Sequence, residues 1–171
     1  MTHVFNGMSP FHHRDPGLVG AAFRLRDVYG EVICDGNHSN INSLNNYFMS
    51  KGRDYAIMIS DSLMAKGCPV GSKFLFGGNE IEVYPDGSAH LTSTKGLAGS
   101  TLRINRGLEI LVEKAGVPFD YAINSCTLNP ARALGVDDRK GKICTGYDAD
   151  IVVLNNDYDV VQTYARGVAC K

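Results

Sequence analysis

The sequence lacks the simple signs of a specialised environment. Its 171 residues carry 17 Lys and Arg against 18 Asp and Glu, a net charge of −1. No basic excess advertises nucleic acid or an anionic membrane, so any anionic ligand has to be held locally. The five cysteines, Cys34, Cys68, Cys126, Cys144 and Cys170, are odd in number and widely spaced, with no Cys-x-x-Cys pair. That argues against a disulfide framework or a structural zinc site and fits a reducing cytoplasm. No apolar run approaches the roughly 20 residues of a membrane span, and Met1 is followed by Thr2-His3-Val4 rather than by a basic segment and an apolar core. Internal repeats, low-complexity tracts and linkers are also missing. What remains is an ordinary globular composition, 44% hydrophobic and 20% charged, in a chain long enough for one domain.

Hydrophobic patterning suggests strand, loop and helix units. Thr2 to Asn6 reads as a short strand that meets a polar loop from Ser9 to Gly17. Val28 to Cys34 is apolar and β-branched, ends at Asp35-Gly36, and is followed by a helical stretch from Ile41 to Lys51 closed by Gly52. Tyr55 to Ile59 is a continuous apolar run, as expected of a strand covered on both faces. From Gly71 to Thr92 the texture changes to short alternating stretches separated by Gly77-Gly78 and Pro85-Asp86-Gly87, the pattern of a β-hairpin insertion. A helix is expected from Thr101 to Ala115, weakened by Gly107, with shorter helices over Pro118 to Cys126 and Asn129 to Leu134. Asp150 to Leu154 and Val160 to Tyr164 read as strands around the turn Asn155-Asn156-Asp157. Such units belong to a parallel α/β fold, whose ligand chemistry collects where the strands end.

Four of the five histidines, His3, His12, His13 and His38, fall within the first 38 residues. Imidazole suits zinc and related metals, but a catalytic zinc needs about three protein ligands, and the residues alone do not supply three. For His3 and His38 the alternative is a ring satisfied by local hydrogen bonds; for His12 and His13 it is a solvated loop. Asp61 follows an apolar strand and Ser60, so it is either a carboxylate that moves a proton or a helix N-cap. Arg14 offers a planar fork for phosphate or carboxylate, or is simply solvated. Gly96 to Thr101 precedes a helix and has backbone N–H groups to offer an anion or amide, though no Gly-Lys-Ser/Thr makes it a P-loop.

Taken in order, the motifs Thr2-His3-Val4-Phe5-Asn6-Gly7-Met8, Arg14-Asp15-Pro16-Gly17-Leu18-Val19-Gly20-Ala21, Asp35-Gly36-Asn37-His38, Ser60-Asp61, Leu97-Ala98-Gly99-Ser100-Thr101-Leu102 and Thr127-Leu128-Asn129-Pro130-Ala131-Arg132 resemble the N-acetylglucosamine-6-phosphate deacetylase family. Gly146 to Leu154 resembles the strand with which amidohydrolase chains return to a small β domain. The resemblance implies the last three strands of a metal-bearing (β/α)8 barrel over residues 1–145, with a hairpin insertion at about 71–92, and C-terminal β-sandwich strands over 146–171. It implies His3 as a ligand to a divalent metal, zinc or iron, and Asp61 as the catalytic aspartate that accepts a proton from water and returns it to the leaving amine. Asn6 and Gly7 match the pair that meets the sugar phosphate, where the family more often has Asn-Ala. Arg14 matches an arginine reaching a phosphate in the neighbouring subunit of a homodimer. His38 matches a substrate contact, and Ala98, Gly99, Ser100 and Thr101 match a loop lining the acetamide pocket.

The implied reaction is hydrolysis of N-acetylglucosamine 6-phosphate to glucosamine 6-phosphate and acetate in the cytoplasm, with a small amino-sugar phosphate and neither nucleic acid nor membrane as partner. The family's glutamate ligand, its other histidine ligand and a carbonyl-polarising histidine lie upstream of anything in this chain, so the chain is expected to be inactive by itself. Asn37, Ser39 and Asn40 replace residues common around His38, and Ser62-Leu63 replaces the small pair after the aspartate. Two other readings are a deacetylase for another N-acyl amino sugar, such as N-acetylgalactosamine 6-phosphate, and a non-catalytic module for dimerisation or complementation.

Overall fold

The computed structural model describes residues 1–170; Lys171, the last residue of the expected C-terminal segment, lies outside them. The apolar, β-branched stretch that ends at Cys34 and the continuous apolar run from Tyr55 to Ile59 become the central strands. β1 (Gly30–Ile33) and β2 (Ala56–Ile59) run parallel, with Gly30 opposite Ala56 and Ile33 opposite Ile59. Val32, Ile33, Ala56, Ile57 and Met58 are all buried, as parallel strands covered on both faces require. Helix α2 (Ile41–Lys51) makes the crossover. The Asn40 side chain accepts the Asn42 N–H at its start, and Gly52, at φ 69°, ends it. Leu44, Tyr47 and Phe48 on α2 join Val4, Val32, Cys34, Ala56 and Met58 in the main core.

Thr2 to Asn6 is not a strand. The segment lies beside β1, since Glu31 N–H donates to the Met1 carbonyl and Val4 N–H to the Glu31 carbonyl, both at 2.8 Å. His3 and Phe5, however, have φ of 34° and 79°, and this left-handed backbone turns the chain away before a ladder forms. Helix α1 (Gly17–Arg24) is not among the expected elements. Its signal is Val19, Ala22 and Phe23 at helical spacing, diluted by Gly17 and Gly20. Lys51, at the end of α2, fastens α1 from below by donating to the carbonyls of Leu25, at 2.6 Å, and Val28.

After β2 the chain forms an antiparallel sheet of β3 (Lys73–Phe76), β4 (Asn79–Val83) and β5 (Ala89–Leu91). Gly77 and Gly78 join the first two strands with φ of 57° and 80°, as a two-residue turn with positive φ at both positions demands. Ile81, Val83, Ala89, Ala65 and Ala98 make a second, smaller core beneath it. Helix α3 (Ile104–Glu109) starts three residues later than expected, because Arg103 is still extended, and runs on as a π-helical turn over Ile110–Lys114. Gly107 has a packing reason: a Cβ there would stand 2.4 Å from Met58 Sδ, so glycine lets α3 approach β2.

Helices α4 (Phe119–Cys126) and α5 (Leu128–Ala133) follow. The fully buried Asn129 donates to the carbonyls of Arg53 and Ala56, each at 2.9 Å, and Arg132 pairs with Asp54 at 2.8 Å. The Thr127 to Arg132 motif therefore staples α5 to the start of β2. The chain closes with the antiparallel β6 (Ile151–Leu154), β7 (Val160–Ala165) and β8 (Val168–Ala169), the last of which is not among the expected strands. This sheet meets α3 through Asn105 on the Tyr158 carbonyl, at 2.9 Å, and through Arg106 on Asp159. No helix among the described residues is long and apolar enough to cross a membrane.

Candidate active site

Parallel order brings three segments to one edge of the molecule: the turn after Val4, the loop from Cys34 to His38 after β1, and Ser60-Asp61 after β2. His3 sits in its left-handed turn with ring atom Nδ1 buried and without a hydrogen-bond partner among the described residues. Asn6 N–H donates to the His3 carbonyl at 2.9 Å, and the Asn6 amide reaches back to the Val4 carbonyl. A Cβ at Gly7 would lie 3.8 Å from the His3 ring, so Gly7 flanks that ring directly.

His38 is held from both ends. Asp35 accepts the backbone N–H of Asn37 at 2.9 Å and of His38 at 2.8 Å through one oxygen, and meets His38 Nδ1 at 2.7 Å through the other. Burial pushes the Asp35 carboxyl up, but the His38 ring and these two N–H groups together hold it below the ordinary carboxylate range. An ionised Asp35 only accepts, so the hydrogen lies on Nδ1 and Nε2 is the nitrogen left for a ligand. Asp35 is the site residue that motif reasoning left without a role. Its signal is the three-residue spacing to His38, which closes a side-chain-capped turn.

Asp61 begins no helix, so the N-cap reading falls. It is exposed, at φ 48°, and no hydrogen bond or ion pair engages its carboxylate among the described residues. Its backbone is fixed from the 98–101 loop: Ser100 N–H donates to the Asp61 carbonyl at 2.7 Å, and the Ser100 hydroxyl donates to the Ser60 carbonyl. Gly99, at φ 53°, passes so close that a Cβ would stand 3.1 Å from the Asp61 carbonyl oxygen and 2.7 Å from Leu63. Ala98 N–H is spent on the Ala89 carbonyl at 3.0 Å, and the Thr101 hydroxyl on the Gly87 carbonyl. Ser100 and Thr101 thus act here as fasteners. Thr101 also lines a pocket of about 320 Å³ together with Asp35 and Asn37, which joins the loop after β1 to the 98–101 loop.

Arg14 stands apart on an exposed turn closed by the Asp15 N–H on the His12 carbonyl at 3.1 Å, with the His12 and His13 rings 4.3 Å apart. Among the described residues no three His, Cys, Asp or Glu side chains gather closely enough to hold a metal ion. The buried, unpartnered nitrogen of His3 fits one ligand of such an ion, and the remaining ligands have to come from elsewhere.

The model of the amidohydrolase family matches residues 71–170. The N-acetylglucosamine-6-phosphate deacetylase of Bacillus subtilis (strain 168) is 40% identical over 98% of this chain and 41% of the relative. A putative N-acetylgalactosamine-6-phosphate deacetylase of Escherichia coli (strain K12) is 34% identical over 96% of both chains. Among solved structures, the N-acetylglucosamine-6-phosphate deacetylase of Pasteurella multocida superposes with a TM-score of 0.91 at 29% identity, covering 99% of this chain and 44% of that one. The Thermotoga maritima enzyme of the same name gives 0.89 at 31%, covering 99% and 46%. The chain thus spans roughly two-fifths of the first curated relatives it matches, 41% and 43% of their lengths. By the match over 71–170 and the full-length likeness to the Escherichia coli protein, this α/β chain belongs to the amidohydrolase family.

Proposed function

We propose that the chain supplies part of the active site of a deacetylase that hydrolyses N-acetylglucosamine 6-phosphate to glucosamine 6-phosphate and acetate. The observation that carries this reading is the 40% identity to the Bacillus subtilis enzyme over nearly the whole chain, within which His3, His38, Asp61 and the 98–101 loop meet one edge of the fold. In this reading residues 1–145 contribute the end of a (β/α)8 barrel, with β1 and β2 as two of its strands and the Thr2 to Asn6 segment lying beside β1 in the place of a third, and 146–171 contribute the strands of a small β-sandwich. The whole protein is a cytoplasmic homodimer.

A divalent ion, zinc or iron, supplies Lewis acidity and makes water ionisable near neutral pH when bound, and His3 is this chain's ligand to it. Asn6, Gly7 and Arg14 hold the sugar phosphate, Arg14 reaching the neighbouring subunit's substrate. His38, oriented by Asp35, binds the substrate through Nε2. The 98–101 loop borders the acetyl group. The Asp61 carboxylate accepts the proton of the attacking water as oxygen bonds to the acetamide carbon. It then gives that proton to the nitrogen as the C–N bond breaks, so the amine leaves neutral. With no partner among the described residues, the carboxylate is free for both transfers.

The test is deacetylation by the whole protein with Asp61→Asn. A kcat lower by about 10²- to 10⁴-fold, with metal content unchanged, is the expected result for loss of a general acid–base group; an unchanged kcat refutes the assignment. A second reading, an enzyme for N-acetylgalactosamine 6-phosphate, is favoured by the 34% identity to the Escherichia coli relative. The ratio of kcat/KM for the two sugar phosphates decides between them.

A further inference from the structure

Away from these residues, the sheet of β3, β4 and β5 carries a chain of polar contacts that the reaction does not use. Asp86 Oδ1 accepts the Ser88 hydroxyl at 2.5 Å and the Ser88 N–H at 2.9 Å. Ser88 Oγ lies 2.8 Å from His90 Nε2, and His90 Nδ1 lies 2.8 Å from the Lys95 carbonyl. Ser88 is 4% exposed, and the His90 ring stacks on Tyr84 at 4.2 Å. The chain ends in two groups that only accept, a carboxylate and a carbonyl, and its three side-chain contacts need three hydrogens. Ser88 has one, directed to Asp86. The other two have to be on the His90 ring, Nδ1–H for Lys95 and Nε2–H for Ser88. A ring with one hydrogen leaves one contact empty. Ser88 and His90 hold the Asp86 carboxyl below the usual range, so a proton on Asp86 does not fill the gap. The charged and titratable groups facing His90 are Asp86, Tyr84, Lys95, whose ammonium lies 5.9 Å from the Tyr84 ring centre, and Glu82, its register partner on β4.

The contacts lead to the 98–101 loop. Gly87, inside the turn that Asp86 and Ser88 close, accepts the Thr101 hydroxyl, and the next residue back, Ser100, grips the Asp61 carbonyl. With Gly99 against Leu63 and Asp61 there is little slack between the two.

We propose that Asp86, Ser88 and His90 form a positioning device that is complete only when His90 carries both ring hydrogens and that sets the 98–101 loop and, through it, the backbone of Asp61. Its bearing on catalysis rests on the proton-transfer reading of Asp61; its structural content does not. The experiment is NMR of the whole protein and of its Ser88→Ala and His90→Gln variants, followed across a pH series. In the native chain the Ser100 and Asp61 amide signals are expected to move together with the His90 ring signals, and both variants to lose that movement. Hydrogen-exchange protection of the Ser100 amide is expected to fall about tenfold in each variant, the worth of one hydrogen bond to a charged group. The proposal is overturned if the movement is absent from the native chain, survives in His90→Gln, so that His38 or another group drives it, or survives in Ser88→Ala. Failure of the acid–base reading shows instead as undiminished turnover by Asp61→Asn and leaves these signals as they are.

Discussion

Gly30 and Tyr47 offer the sharpest test of how the core sets the turn at His3. A Cβ on Gly30 would stand 1.8 Å from the Tyr47 hydroxyl oxygen, 3.1 Å from its Cζ and 3.5 Å from Val4 Cγ2. The ring cannot step aside, since Phe5, Phe23 and Phe48 stand edge-on to it at centroid distances of 5.9, 5.5 and 6.4 Å. Gly30→Ala is therefore expected at the upper end of overpacking costs, about 3 kcal/mol, of which the stiffer unfolded chain returns about 0.5. At roughly 2–4 °C per kcal/mol for a chain of this size, the Tm should fall by about 5–10 °C. The Tyr47 hydroxyl is buried without a partner among the described residues, so Tyr47→Phe should raise stability by about 1 kcal/mol. In that background the nearest ring atom to the added methyl group is Cζ, and the cost of Gly30→Ala should drop to about 1 kcal/mol, the low end of overpacking. Urea and thermal unfolding of the four proteins give the coupling energy. Equal costs of Gly30→Ala in both backgrounds, or a Tyr47→Phe protein that is less stable by about 1 kcal/mol or more, would refute the reasoning.

Asn129→Ala should cost about 1–3 kcal/mol in urea unfolding, because the buried Ala56 carbonyl and the half-buried contact to the Arg53 carbonyl lose their shared donor. Lys51→Met should cost about 1–3 kcal/mol by stranding the Leu25 and Val28 carbonyls, and should show as lost hydrogen-exchange protection in α1. Asp35 has a folded-state pKa below its unfolded value of about 3.9, so its contribution is complete above that pH and disappears as pH falls through the lower folded value. The stability gap between the native protein and Asp35→Asn should accordingly be full at about pH 6 and close toward about pH 2; a gap that widens on acidification contradicts the Asp35 to His38 geometry.

Legibility followed the length and contrast of the pattern. α2 shows in full because its apolar spacing and terminal glycine agree, β2 because its run is apolar throughout, and β1 because its β-branched stretch ends sharply at Asp35-Gly36 despite Glu31. α1 escapes notice because two of its eight residues are glycine and its apolar stripe is short. The segment from Thr2 to Asn6 has strand composition, and only its backbone angles deny it that state. The strand, loop and helix pattern put His3, His38 and Asp61 at the strand ends on one rim, but did not show that Asp35 grips His38, nor that Ser100 and Thr101 spend their hydroxyls on neighbouring carbonyls. The Ser100 contact closes over 40 residues of sequence, from Ser60, and the Thr101 contact over 14, from Gly87, separations that carry no local pattern, whereas the Asp35 contact spans only three residues.

Asp61 occupies a backbone well that asparagine and glycine enter readily and β-branched residues do not. Variation at position 61 is thereby filtered by the shape of the chain before any reaction takes place, and a second time by the chemistry. Glutamate keeps the charge yet fits this backbone poorly, whereas asparagine fits it and loses the proton.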